Sequence, residues 1–281
     1  MKKSFKIMLI AIVVLISTLA GIYLIAWKSP PYYIVEDTSE VFSDSMISFK
    51  DYDLIIDHPR PLIISNSNLV IFGAEHSRDP HHPQIKLIED EWNKLKPTVT
   101  LVEGRLDFLL PGLMDPVENL GEGGYVKYLS QRDDLDIFNW DLSKEQLAKE
   151  LLRKFEPEQI ALAQILNPYF GQLRHGKPSS PEEYISEYYK RAEYVNQQDN
   201  FKTVIDIDKY WKKYFPEGPD WRDVDDSYGL PGYLDEMMIF TNDLRNIQLT
   251  RVVKELLKKG EKVFLICGSS HAACVEPSFR N

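Results

Sequence analysis

Apolar positions along the chain change their period, and each change marks an element. Leu69–Phe72 is an unbroken apolar run stopped by Gly73, which predicts a buried strand feeding a turn. Over Pro83–Leu95, the residues Ile85, Ile88, Trp92 and Leu95 recur at helical spacing, and Pro97 follows, so a helix with one apolar stripe is predicted. Thr98–Val102 is β-branched and apolar and predicts a second strand ending at Glu103-Gly104-Arg105. Glu122-Gly123-Gly124 then opens a short helix, and Leu135–Trp140 reads as a third strand closed by Asp141.

The middle of the chain carries helical signals instead. Ser143 to Gln146 and Ser180 to Glu183 have the spacing of capping boxes, the second with Pro181 at the first helical position. Gly171–Ser180 is expected to separate the two helical blocks, and Phe215–Gly232 is a Pro-, Gly- and Asp-rich loop of a length that suits a lid or binding loop. A last helix is expected over Asn242–Lys259, with Gly260 past its end, followed by a strand over Lys262–Cys267 stopped by Gly268. Strands alternating with helices predict an α/β fold: a largely parallel central sheet flanked by helices, with a helical middle insertion.

Ahead of this body, Ile7–Trp27 runs without a charge, close to the ~20 residues that span hydrocarbon, and Lys2, Lys3 and Lys6 precede it. It reads as an uncleaved transmembrane anchor, with a cleaved secretory signal as the alternative. Positive flanks stay inside, so the body is expected outside the cytosol, at the periplasmic or extracellular face, or secreted if the segment is cleaved. The expected organisation is therefore an anchor or signal over 1–28, a linker over 29–61 and the α/β domain over 62–281.

Composition narrows the class of function. A net charge of −10 opposes a polyphosphate backbone, which argues against nucleic acid as a partner. Cys267 and Cys274 are too few for a disulfide scaffold and lack paired metal-site spacing; they read as small buried residues, with one disulfide as the alternative. A chain of this size needs no metal merely to fold, so any metal would serve chemistry.

Candidate chemistry gathers at strand ends. Leu69–Phe72 leads into Gly73-x-x-His76, and Val263–Cys267 leads into Gly268-x-x-His271, which gives the two histidines one local pattern. In open α/β sheets, ligands bind beyond the carboxyl ends of the strands, where both imidazoles and Glu103 would emerge. A carboxylate there can join two imidazoles as a metal ligand or act as general base. Arg105 and Glu122 follow in the next loop and helix start, as candidates for substrate binding. Arg245 shares the helical stripe of Leu249, Val252 and Leu256, where a guanidinium needs an anionic partner.

Together these residues resemble the TraB/TIKI (GumN-like) family, within a superfamily that includes erythromycin esterases and ChaN-like haem-binding proteins. Four places carry the resemblance: Gly73-x-x-His76 after a strand, Val102-Glu103 ending the next, Arg245-Asn246 opening an amphipathic helix, and Gly268-x-x-His271 after the final strand. The first motif departs from the family in reading Gly-Ala-Glu-His, where Gly-Thr-x-His is frequent. The resemblance implies a metal-dependent hydrolase acting on peptides or small esters, with a divalent ion (Mn, Co or Zn) held by His76, Glu103 and His271. Arg245 would join these three in catalysis, and Asn246 would help bind substrate. The alternatives it leaves are a metal-free esterase, in which one histidine is the general base, and a ligand- or haem-binding protein without turnover.

Overall fold

The computed structural model describes residues 12–18, 21, 26–36, 46–172 and 180–280, and these fall into two compact units. The first comprises residues 1–47, 51–141 and 246–281; the second comprises 48–50 and 142–245.

The first unit is built on five strands: β1 (Leu62–Ser65), β2 (Leu69–Ala74), β3 (Val99–Val102), β4 (Asp136–Asn139) and β5 (Val263–Gly268). Their order is β1-β2-β5-β3-β4, with β1 antiparallel to β2 and every other pairing parallel. The largely parallel sheet expected from the sequence is present. Alternation along the strands sorts its two faces. Leu69, Ile71, Leu101, Val263 and Leu265 pack on one face with Leu249, Val252, Val253 and Ala272. Val70, Phe72, Phe264 and Ile266 pack on the other with Ile88, Trp92, Val126 and Leu129. Both faces being covered explains why the central strands read as continuous apolar runs.

Helix α1 covers Pro83–Leu95, as its apolar stripe predicted, and His82 caps it by accepting from the Gln84 N–H. Helix α2 (Pro116–Arg132) is interrupted at Gly121, where φ is 64°, so a fresh helical turn starts at Glu122, the residue at which the sequence predicted a helix to open. Gly73 does not stop β2, as its composition suggested, but lies inside it, paired with Cys267. The physical reason is contact: a Cβ on Gly73 would stand 2.6 Å from Ala272 Cβ and 3.0 Å from Ser269 Cα. The glycine lets the short helix after β5 lie directly on the strand.

Residues read as a linker are folded onto this unit. Tyr32 bridges Asn139 at the outer edge of β4, and the Tyr33 hydroxyl donates to Glu255 Oε1 at 2.8 Å. Trp27 is buried, its N–H donating to Leu109 O at 2.8 Å. The predicted span Ile7–Trp27 lies for the most part outside the described residues; within it, residues 12–18 are helical and exposed. Among the described residues, no helix is long and apolar enough to cross a membrane.

Lys127, on α2, is buried at 3% exposure, with Nζ 5.1 Å from the Trp27 ring centroid and donating to Lys28 O. Burial pushes its ammonium down to about 8. Between that value and the unfolded lysine's ~10.4, the unfolded chain binds more protons, so stability rises with pH across this window. In denaturant unfolding of the full chain, the wild type should gain stability from pH 8 to pH 9.5 relative to Lys127→Met; parallel curves would show that Lys127 carries no such penalty.

The second unit is helical: α3 (Lys144–Leu151), α4 (Pro157–Gln172), α5 (Pro181–Tyr188), α6 (Val204–Tyr214) and the first part of α7 (Tyr233–Lys258). Ser143 forms a full capping box with Gln146, and the Ser180 side chain accepts from the Glu183 N–H. Gly171 lies within α4 rather than in a separator, and residues 173–179 are outside the described set. Ile160, Ile165, Leu166, Phe170, Ile207, Trp211 and Trp221 form the unit's core. The loop between α6 and α7 is tied down by Trp221, whose Nε1 donates to Asp208 Oδ1 at 2.8 Å. Helix α7 begins about two and a half turns before the predicted start, and its residues are shared between the second unit and the first. Its end is a Schellman motif: the Gly260 N–H reaches Leu257 O and the Glu261 N–H reaches Leu256 O, with Gly260 at φ 84°.

Candidate functional site

Strand order makes the site. Because β5 lies between β2 and β3, the segments leaving the carboxyl ends of these strands are neighbours, and all belong to the first unit. His76 follows β2 by two residues, Glu103 follows β3 directly, and His271 sits in the first turn of α8 (Ser269–Val275) after β5. The two Gly-x-x-His segments are not equivalent, since Ala74, not Gly73, pairs with Gly268. After Ala74 the chain continues without regular structure and His76 is exposed; after Gly268 it turns into a helix and His271 is buried.

Both rings are held by Nδ1. His76 Nδ1 lies 2.7 Å from Glu122 Oε1, and the other oxygen of Glu122 accepts the Ser77 N–H at 3.4 Å. His271 Nδ1 lies 2.7 Å from Asn246 Oδ1. A carboxylate and an amide oxygen only accept, so each Nδ1 carries the proton and each ring presents Nε2 as its basic nitrogen. Trp140, fully buried, packs edge-on to His271 with ring centroids 5.6 Å apart, which fixes the plane of that imidazole.

Glu103 reaches the same end of β5. Its Oε2 accepts the Gly268 N–H at 2.7 Å, and its Oε1 is 3.8 Å from His271 Nε2. A Cβ on Gly268 would lie 3.0 Å from His76 Nε2 and 3.8 Å from Glu103 Oε2, so His76 and Glu103 approach the same Cα. One exposed imidazole, one buried imidazole and one half-buried carboxylate therefore share one end of β5. Among the described residues, no group of three or more His, Cys, Asp or Glu side chains is already gathered as a metal site.

The remaining candidates divide. Asn246 and Glu122, expected against substrate, each hold one of the two imidazoles, and both are buried. Arg105 lies on the surface, 71% exposed, with its guanidinium 3.8 Å from Asp107. Arg245 is half-buried and closes the second unit, whereas Asn246 belongs to the first. Consecutive helical residues point about 100° apart, so Arg245 does not share the direction of Asn246. His82 pairs with Glu75 at 3.3 Å, and His58 Nδ1 bonds Ile55 O; His175 lies outside the described residues. Trp140 and the Gly268 N–H were missed from sequence; the only signal for Trp140 was an aromatic residue at the end of a predicted strand. No family model matches the chain, and no curated protein or solved structure matches it either.

Proposed function

We propose that the protein is a hydrolase of ester or peptide bonds, in which two imidazoles oriented through Nδ1 divide the proton transfers. The observation that carries this reading is the pair of 2.7 Å contacts, Glu122 to His76 and Asn246 to His271, at the end of β5 that Glu103 also reaches. His271 Nε2 takes a proton from a water as its oxygen attacks the carbonyl carbon. The imidazolium so formed is stabilised by the Glu103 carboxylate, which the Gly268 N–H keeps in place. As the tetrahedral intermediate collapses, His76, entering the cycle as an imidazolium with Nδ1–H toward Glu122, donates its Nε2–H to the leaving group; it then takes a proton back from solvent while His271 releases the one it took from water. Arg105 would contact substrate at the rim. The resemblance to the TraB/TIKI family supports hydrolysis through the same residues. The uncharged run Ile7–Trp27 behind three lysines supports a membrane-anchored body outside the cytosol.

A second reading gives His76, Glu103 and His271 to a divalent ion. What favours it is the Nδ1 bonding itself, since metal-ligating histidines usually donate their other ring N–H to a carboxylate or carbonyl. One experiment separates the two. The full chain in detergent is assayed on a panel of fluorogenic peptides and nitrophenyl esters, with and without EDTA. The acid–base reading expects turnover that EDTA leaves intact; loss on chelation and recovery with Zn²⁺, Mn²⁺ or Co²⁺ would transfer the chemistry to the metal.

A further inference from the structure

Away from the histidines, the first unit carries an open groove of about 720 Å³ lined by apolar and aromatic side chains, among them Trp27, Ile85, Leu109, Leu113, Tyr125 and Tyr128. The loop that forms one wall, between β3 and α2, holds Phe108 at 53% and Leu113 at 80% exposure. Large apolar side chains presented this way, next to an apolar groove, mark an interaction surface. What covers it is indicated by Trp27. This residue ends the 21-residue uncharged run that starts at Ile7, and the body grips it three ways. Its N–H donates to Leu109 O at 2.8 Å, its ring lies 5.1 Å from Lys127 Nζ, and Lys127 donates to the carbonyl of the next residue, Lys28.

We infer that this groove and the Leu106–Met114 loop dock on the phospholipid bilayer in which the chain is anchored, so that the body lies against the membrane. The inference rests on the anchored reading of Ile7–Trp27. If that run spans the hydrocarbon, Trp27 stands at the headgroup level, where tryptophan and tyrosine accumulate. A wall hydrogen-bonded to Trp27 is then at the same level, and Phe108 and Leu113 enter the acyl boundary as the apolar side of an interfacial element does. Trp27, Tyr125 and Tyr128 line the groove as an aromatic belt would.

The test uses the full chain in vesicles of phosphatidylcholine and phosphatidylglycerol, carrying a polarity-sensitive fluorophore at Leu113→Cys or at Asn66→Cys. Asn66 is exposed in the turn before β2, at the amino end of the parallel strands, whereas the loop after β3 leaves their carboxyl end. The native Cys267 and Cys274 are buried and should label slowly. Nitroxide-bearing phosphatidylcholine should quench the label at position 113 at least about twofold more than the label at 66, with a blue-shifted emission only at 113. Alkaline carbonate separates the two ideas. If the chain stays in the vesicles but both labels are equally aqueous, the docking surface falls while the anchor stands. If carbonate releases the chain, the anchor fails and the docking inference with it. Shielding at 113 that persists in detergent and grows with protein concentration would place a second copy on this face, and would also overturn the inference.

Discussion

Replacing His271 by alanine should lower turnover by about 10²–10⁴-fold, with no recovery when imidazole is added, whereas His76→Ala should lose a similar amount and recover in part. The difference follows from burial. The His76 side chain is 71% exposed, so its loss leaves a notch open to solvent in which free imidazole can lie against Glu122. The His271 side chain is 7% exposed and sits beneath Trp140 and against Asn246, so alanine there leaves a closed void. Glu122→Gln supplies the control. The amide keeps an acceptor oxygen but no charge, so it should cost less than His76→Ala and should not respond to imidazole. Equal rescue of both histidine variants would mean that the two rings do not differ in access, and no effect of either would remove them from the chemistry.

A large effect on stability should come from a position that touches no substrate. Gly73→Ala puts a methyl 2.6 Å from Ala272 Cβ, 3.0 Å from Ser269 Cα and 3.1 Å from Leu62 O. Two of these neighbours are backbone atoms, in β1 and at the start of α8, so relief requires moving an element rather than a side chain. Overpacking of this kind costs typically about 1–3 kcal/mol, and for a chain of this size a loss of that order lowers Tm by roughly 2–12 °C. Ser269 and Ala272 flank His271, so activity should fall together with stability. Adding Ala272→Gly removes the nearest of the three contacts and should restore part of the loss, a coupling that independent sites would not show. Thermal unfolding of the single and double variants measures it; an unchanged Tm in Gly73→Ala would show that α8 does not lie on β2 as described.

Some of this architecture was legible in the residues and some was not, for physical reasons. Helix α1 was plain because Pro83 starts it and its stripe of Ile88, Trp92 and Leu95 is buried. His76, Glu103 and His271 were legible because residues at the carboxyl ends of parallel strands converge whatever the intervening chain does. The pairing of Glu122 with His76 was not, since 46 residues separate them and the break at Gly121 that aims Glu122 is a backbone property. Gly73 was misread because a glycine that ends a strand and one that admits a neighbouring helix look alike in sequence. The edge strand β1 was missed because Leu62–Ser65 is four residues long and follows a segment without a period. The tie of Tyr32 and Tyr33 to Asn139 was equally invisible, because a single bridge leaves no repeating pattern.

The pH dependence of kcat/KM, measured on the best substrate of the panel for the wild type, His76→Ala and His271→Ala, tests the division of labour between the two imidazoles most directly. The wild type should give a bell, its acid limb set by protonation of the base and its alkaline limb by loss of the proton from the acid. His76→Ala should keep the acid limb and lose the alkaline one; His271→Ala should lose the acid limb from what activity remains. A wild-type profile without limbs, or a bell that survives unchanged in both variants, would contradict the account.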